Sequence, residues 1–286
     1  MSDKLQLVAY SQCAAINNPA TTIPGDKLKF VGQPEGSANG LPSVSVCFPA
    51  YNEQATIESV LTDSHELLTR SGIDYEILVC DDASTDNTAS IAAEIAARLP
   101  RIRVLRNSKN LGIRDTFERL YREASKEFVF LNSTDRQWET SVLFEMLPLM
   151  SEFDIVIASR KDKHYGVSRS FTSWVFNSIP PLLFGVKTYD AGAVKLVRRE
   201  VIERFSLVSR SPFTEAERLI RAERAGCRIA SHPVNVSARG SGKARGAKLS
   251  SVIEAGKDVL RVWLALRRET RAARAAAKSR RPRAQL

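Results

Sequence analysis

Between residues 44 and 158 the chain alternates short apolar runs with helix-length amphipathic stretches, and this alternation restricts the fold more than any other feature. Residues 44–48, 75–80, 102–105, 128–131 and 155–158 read as strands, because each is a short, nearly continuous apolar run. Residues 56–71, 87–99 and 113–125 carry their apolar side chains at helical spacing. Strand–helix–strand repeats of this length close as right-handed βαβ units and predict a mostly parallel sheet with helices on both faces. Ligands of such sheets sit beyond the carboxyl ends of the strands, so the residues leaving each strand are the ones to read for chemistry.

Those exits are polar. The first strand runs into Pro49-Ala50-Tyr51-Asn52-Glu53, the second into Asp81-Asp82-Ala83-Ser84-Thr85-Asp86, and the fourth into Asn132-Ser133-Thr134-Asp135-Arg136-Gln137-Trp138. Neither a Gly-x-Gly-x-x-Gly nor a Walker loop follows the first strand, which argues against a dinucleotide or P-loop site. Taken alone, Asp82, Ser84 and Asp86 could serve only to cap the next helix. Three acidic or amide-bearing exits on one sheet edge point instead to a nucleoside diphosphate held through a divalent cation.

The ordered runs Val44-Ser-Val-Cys-Phe-Pro-Ala-Tyr-Asn-Glu53, Asp81-Asp-Ala-Ser-Thr-Asp-Asn-Thr88 and Asn110-Leu-Gly112 resemble the family 2 glycosyltransferases, and the likeness covers about residues 43–246. Later segments resemble the dolichyl- or polyprenyl-phosphate branch: Ala158-Ser-Arg160, Arg169, Tyr189-Asp190-Ala-Gly-Ala-Val-Lys195, Phe213-Thr-Glu-Ala-Glu217 and Arg239-Gly-Ser-Gly-Lys-Ala-Arg-Gly246. The resemblance implies a GT-A fold, an α/β architecture with a Rossmann-like, mostly parallel sheet and an acceptor half appended to it. It also implies transfer of a sugar from a nucleotide-sugar donor to a polyprenyl-type phosphate or another lipid-linked glycan acceptor, assisted by Mg2+ or Mn2+.

By the same likeness, Pro49, Tyr51 and Glu53 flank the base and ribose, one of Asp81 and Asp82 accepts from a base N–H, and Asn110 and Ser133 belong to the donor site. The family's Asp-x-Asp-x-Gln metal motif aligns its Gln on Gln137 and its second Asp on Asp135, which makes this pair the metal site and Asp135 a catalytic residue. The first Asp falls on Ser133, and losing one carboxylate weakens the hold on a hard cation. Arg160 and Arg169 match positions that serve phosphate groups, for which the planar guanidinium fork is suited. Glu217 and Asp190 match acidic positions near the acceptor, although Glu217 also stands four residues before Arg221 as a helical ion-pair partner. Two alternatives stay open: a soluble acceptor in polysaccharide or secondary-metabolite assembly, and a degenerate, non-catalytic relative marked by Ser133.

Charge divides the remainder of the chain. Residues 261–286 hold nine Lys or Arg against one acid, Glu269, and so carry most of the net +10. With Val259, Leu260, Val262, Trp263, Leu264 and Leu266 just before or within it, this stretch reads as a basic amphipathic helix directed at an anionic membrane surface, with no nucleic acid expected. Three units follow: an irregular arm over residues 1–42, a glycosyltransferase domain over 43–246, and a basic helix or tail over 247–286. The aromatic-rich apolar segment 171–184 reads either as core or as a helix at the membrane interface. Four scattered cysteines and three scattered histidines show no metal-ligand spacing. With no secretory leader pattern and no apolar run of spanning length, a cytoplasmic protein, peripheral on the inner face of the membrane, is the expectation.

Overall fold

A computed structural model describes residues 42–160, 182–186, 192–235 and 249–279. The irregular arm, the segment holding Arg169, most of the 171–184 stretch, Asp190, the 239–246 loop and the last seven residues lie outside the described residues.

Seven strands form one sheet: β1 (Ser43–Ala50), β2 (Asp74–Asp81), β3 (Ile102–Arg106), β4 (Phe128–Leu131), β5 (Ile155–Arg160), β6 (Lys195–Arg198) and β7 (Ile229–Val234). Their order is β3-β2-β1-β4-β6-β5-β7. The helices are α1 (Ile57–Ser71), α2 (Thr88–Arg98), α3 (Ile113–Glu123), α4 (Val142–Met146), α5 (Arg199–Glu203), α6 (Thr214–Arg224) and α7 (Leu249–Ser279). All five strands and three helices expected from periodicity are present, with ends shifted by at most a few residues.

Their sequences explain them. β1 pairs in parallel with β2 and β4, so both of its edges are hydrogen-bonded, and with helices on the sheet Val44, Val46, Cys47 and Phe48 are fully buried. Its one polar intruder, Ser45, donates to Glu76 Oε1 at 2.7 Å and accepts the Lys126 N–H at 3.1 Å, which satisfies the hydroxyl. In α1, Ile57, Val60, Leu61, Ser64 and Leu68 form the buried stripe, and Gly72 ends the helix at φ 73°, a left-handed position natural to glycine. Cys47 and Cys80 are buried free thiols, as expected; burial pushes the Cys80 thiol up to about 11.

Two strands were not foreseen: β6, and β7, which pairs in parallel with β5 at the sheet's edge. β6 lies between β4 and β5, antiparallel to both. The chain therefore leaves the carboxyl edge of the sheet at Arg160 and returns to that same edge at Lys195, which pairs with Leu131 at the end of β4. Only an antiparallel strand can return the chain to the edge it has just left without a crossover.

The C-terminal helix packs against the rest of the chain. α7 buries Ala255, Val259, Val262 and Leu266 in an apolar cluster with Phe184, Val186, Phe213 and Ile220. Asp258, fully buried, accepts the N–H groups of Arg210 and Ser211 at 2.9 and 2.7 Å. Glu269 pairs with Arg221 of α6 at 3.0 Å. The 3–4–7 spacing of the buried residues thus gives α7 an apolar stripe that packs on α6 and the loop before it.

Candidate active site

The strand order reverses between β1 and β4, and the exits of β1, β2 and β4 meet at that crevice. The first two exits are zipped together. The Asn52 N–H donates to Ser84 Oγ at 2.9 Å, Asn52 Oδ1 accepts the Thr85 N–H at 2.9 Å, and the Glu53 N–H donates to Thr88 Oγ1 at 2.8 Å. Asp86 caps α2 by accepting both the N–H and the hydroxyl of Thr88, at 3.0 and 2.5 Å. Desolvation acts to raise the Asp86 pKa, but these hydrogen bonds outweigh it and hold the carboxyl below its ordinary value. Each of the three exits contains one non-glycine residue in the left-handed region: Asn52 at φ 57°, Ala83 at φ 58° and Arg136 at φ 58°. Such positions cost about 1–2 kcal/mol each for an L-residue and cluster where a loop geometry is needed for function.

Asp81 and Asp82 separate in role. Asp82 accepts from Asn107 Nδ2 at 2.7 Å and from the N–H groups of Leu111 and Gly112, both at 2.8 Å. It therefore fastens the Asn110-Leu111-Gly112 turn and the start of α3, rather than the helix that follows it in sequence. Asp81 receives one shared N–H, from Ser84 at 3.2 and 3.3 Å, with the exposed Arg106 guanidinium 3.4 Å away. Asn110, in this turn, is exposed, while Pro49, Tyr51 and Glu53 at the β1 exit are half-buried.

At the β4 exit, Ser133 Oγ donates to Asp135 Oδ1 at 2.7 Å and the Gln137 N–H donates to the same oxygen at 3.1 Å. The serine in the first position of the metal motif thus orients the remaining carboxylate. Among the described residues no group of three or more His, Cys, Asp or Glu is placed to hold a metal. The donor set is one carboxylate, one hydroxyl and an amide, all hard oxygen ligands, which fits Mg2+ or Mn2+ when diphosphate oxygens complete the shell.

Among the described residues, three buried side-chain donors on the elements at this edge have no hydrogen-bond partner: Asn132 Nδ2, Arg114 Nε and Arg160 Nε. Asn132 ends β4, and its Oδ1 accepts the Ser133 N–H at 2.8 Å, which leaves the amide nitrogen as a donor. Arg114 lies in the first turn of α3, and Arg160 ends β5 with its guanidinium 5.6 Å from the Trp138 ring centre. Sequence reasoning had singled out Arg160 and the exit that begins at Asn132, but not Arg114.

Glu217 forms the helical ion pair with Arg221 that its spacing had offered beside an acceptor role. It is fully buried, accepts the Ser209 N–H and hydroxyl at 2.8 and 2.6 Å, accepts the Val208 N–H at 3.0 Å, and pairs with Arg221 Nε at 2.7 Å. This carboxylate anchors the loop before α6 and is not presented to an acceptor. The acid that faces the sheet edge is Glu215, because residues two apart on a helix point about 200° apart. Glu215 Oε2 accepts from Lys195 Nζ at 2.8 Å and Tyr121 Oη at 3.1 Å, and its Oε1 lies 3.6 Å from Arg218 Nε. Burial acts to raise the Glu215 pKa, but Lys195 and Arg218 overcome it and hold the carboxyl below its usual range. Arg218 stacks over the Tyr121 ring at 4.4 Å and bonds Glu118, tying α6 to α3 under the site. A small cleft between the starts of α3 and α6 is lined by Arg114, Phe117, Thr214 and Glu215.

The family model for Glycosyl transferase family 2 matches residues 45–213. The chain belongs to that family. Glycosyltransferase AglD of Haloferax volcanii is 28% identical over 232 residues, 77% of this chain and 37% of its own length. The dolichol-phosphate mannosyltransferase of Pyrococcus furiosus is 32% identical over 118 residues, 41% of this chain and 33% of its own. The chain thus spans about a third of the length of these curated relatives. Among solved structures, glucosyl-3-phosphoglycerate synthase of Mycobacterium tuberculosis, in complex with Mn2+, UDP-glucose and phosphoglyceric acid, superposes with a TM-score of 0.60. It is 21% identical, and the match covers 81% of this chain and 85% of that one. The mannosyltransferase PcManGT of Pyrobaculum calidifontis, in complex with GDP-Man and Mn2+, gives 0.54 at 18% identity, covering 84% and 65% of the two chains. These likenesses show the GT-A fold of the family 2 enzymes.

Proposed function

We propose that this family 2 chain transfers a sugar from a nucleoside diphosphate donor to an acceptor that bears a phosphate, with a polyprenyl-type lipid phosphate as the preferred acceptor. The observation that carries the reading is the set of buried donors without a partner among the described residues, Asn132 Nδ2 at the end of β4, Arg160 Nε at the end of β5 and Arg114 Nε in the first turn of α3. Buried donors without partners are costly, about 1–3 kcal/mol each, and two phosphate-bearing substrates would satisfy all three. The Mn2+ complexes of the structural relatives support the use of a divalent cation here.

Asp81, whose carboxylate is less saturated than that of Asp82, accepts from a base N–H. Tyr51 and Glu53 border the base and ribose, and Asn110 closes the donor site. Asp135, oriented by Ser133 and with Gln137 beside it, would hold Mg2+ or Mn2+ against the diphosphate. Bound there, the cation neutralises charge as the nucleoside diphosphate leaves. Asn132 donates to the same oxygens. Arg160, with Arg169 and Asp190, orients the acceptor. An acceptor phosphate already ionised near neutral pH attacks the anomeric carbon without a strong general base, which agrees with the placement of Glu217 away from the reactants. The lipid acceptor would hold the protein at the inner face of a membrane; no described helix is long and apolar enough to cross one.

The bound phosphoglyceric acid of the M. tuberculosis relative favours a second reading, in which the phosphate belongs to a small soluble acceptor. Radiolabelled UDP- and GDP-sugars, offered with polyprenyl phosphate or phosphoglycerate and Mn2+, separate the two by the product formed. Isothermal titration of the same nucleotides with and without Mn2+ tests the donor site itself. Absence of any Mn2+-dependent nucleotide binding would overturn the enzymatic reading and support a degenerate relative.

A further inference from the structure

α7 presents two unlike faces. Its inner line, Ala255, Asp258, Val259, Val262, Leu266 and Glu269, is committed to α6 and the loop before it. At about 100° per residue, Ile253, Lys257, Leu260, Leu264, Arg267 and Arg271 fall within roughly 40° of a line on the opposite side. Ile253, Leu260 and Leu264 are 53%, 57% and 40% exposed, and the three cations are exposed as well. Arg268 and Arg274 flank the line and are also exposed. Among the described side chains of α7 no acid lies on it: Asp258 and Glu269 point inward, and Glu254 sits at the side, engaged by Lys257 and Arg261. Trp263, at the edge of the line, is half-buried and carries the Arg267 guanidinium 3.7 Å above its ring.

We propose that this outward face of α7 is a docking surface for an anionic lipid bilayer. The proposal deepens the lipid-acceptor reading and rests on it for its purpose, because a rigidly docked helix would set the acceptor half against the lipid phase. Interleaved large aliphatic and cationic side chains match the boundary of a bilayer, where the former enter the acyl region and the latter meet the headgroups. A tryptophan with one face against the protein and one edge exposed suits the same boundary. A nucleic-acid backbone would satisfy the cations but leave Ile253, Leu260 and Leu264 without an apolar partner. A second copy of the chain would bring cations against cations. The docking unit is therefore a helix face held by the fold, where the sequence had set a basic amphipathic helix or tail apart as its own unit.

The test is cosedimentation of the full chain with phosphatidylcholine vesicles and with mixed phosphatidylcholine–phosphatidylglycerol vesicles, at low and high salt. The pairs Leu260→Gln with Leu264→Gln, and Arg267→Gln with Arg271→Gln, are compared with Arg70→Gln and Arg98→Gln, which remove exposed cations from other helices. Each α7 pair is expected to lower partition onto the mixed vesicles by about tenfold or more, with the control pair unchanged and the arginine-dependent part lost in high salt. Nucleotide binding with Mn2+, measured by titration on the same proteins, should be unaffected. Equal losses in the control pair, equal binding to pure phosphatidylcholine, or α7-dependent binding of duplex DNA or dimer formation in place of vesicle binding would overturn the proposal. If vesicle binding fails while nucleotide binding is intact, only the docking surface is wrong; if nucleotide binding is absent, the functional reading above is wrong.

Discussion

Replacing Glu217 by glutamine separates a structural from a catalytic role for the acid that family likeness had placed near the acceptor. The carboxylate is fully buried and receives the Ser209 N–H and hydroxyl, the Val208 N–H and the Arg221 guanidinium. A glutamine keeps one acceptor oxygen and turns an NH2 toward either the loop N–H groups or Arg221, so donors face donors on one side. Removing one partner of a buried ion pair costs about 3–5 kcal/mol. Arg221 keeps its contact with Glu269, but that side chain is 56% exposed and offsets little. We therefore expect a loss of about 3 kcal/mol, or roughly 6–12 °C in melting temperature for a domain of this size. The assay is thermal unfolding by circular dichroism, paired with transfer rate and nucleotide affinity measured well below the variant's midpoint. The folded variant should retain nucleotide affinity and most of its turnover. Wild-type stability combined with lost transfer would refute the reasoning and return Glu217 to the acceptor site.

At the metal site, Asp135→Asn should abolish Mn2+-dependent nucleotide binding while leaving the melting temperature within a few degrees; retained metal dependence by titration would move the metal elsewhere. Ser133→Asp should tighten Mn2+ binding about tenfold or more through a second charged ligand, yet lower stability without metal, since two carboxylates would then crowd Asp135 Oδ1. A titration showing unchanged Mn2+ affinity would mean that Ser133 does not stand in a ligand position. Arg160→Ala should raise the acceptor KM with little change in donor affinity; an equal loss of donor binding would assign this arginine to the diphosphate. For pH, Glu76, Glu215 and Asp258 all have pKa values lowered from 4.5, 4.5 and 3.8, because hydrogen bonds and nearby cations outweigh their burial. Their contribution to stability is full above about pH 4.5 and lost as pH falls through their depressed values, so denaturant midpoints should fall on acidification below pH 4.5 and stay level just above it.

What the amino-acid sequence determined by itself is the local layer. Eight elements, from the apolar run ending at Phe48 to the strand at Ile155, were legible because strand and helix periodicities are written in near neighbours. The parallel βαβ order then dictated the carboxyl edge as the site, and the polar exits at Tyr51, Asp81 and Asp135 meet there. Tertiary structure alone decided the rest. β6 is four residues long and entered the sheet only through pairing with Leu131 and Ile157, contacts that no local pattern encodes. Asp82 looked like a cap for the helix beside it, but its partners are 25 to 30 residues away, at Asn107, Leu111 and Gly112. Glu215 and Glu217 stand two residues apart in the same motif. Which one meets Lys195 and Tyr121 depends on the helix rotation, set by packing against α3, β6 and α7. The basic stretch was legible as an amphipathic helix, whereas its apolar residues turned out to be divided: Val259, Val262 and Leu266 are buried in the cluster with Ile220 of α6, and Leu260 and Leu264 are exposed. Hydrophobic periodicity reports that a helix has an apolar face, and only the three-dimensional packing decides what covers it.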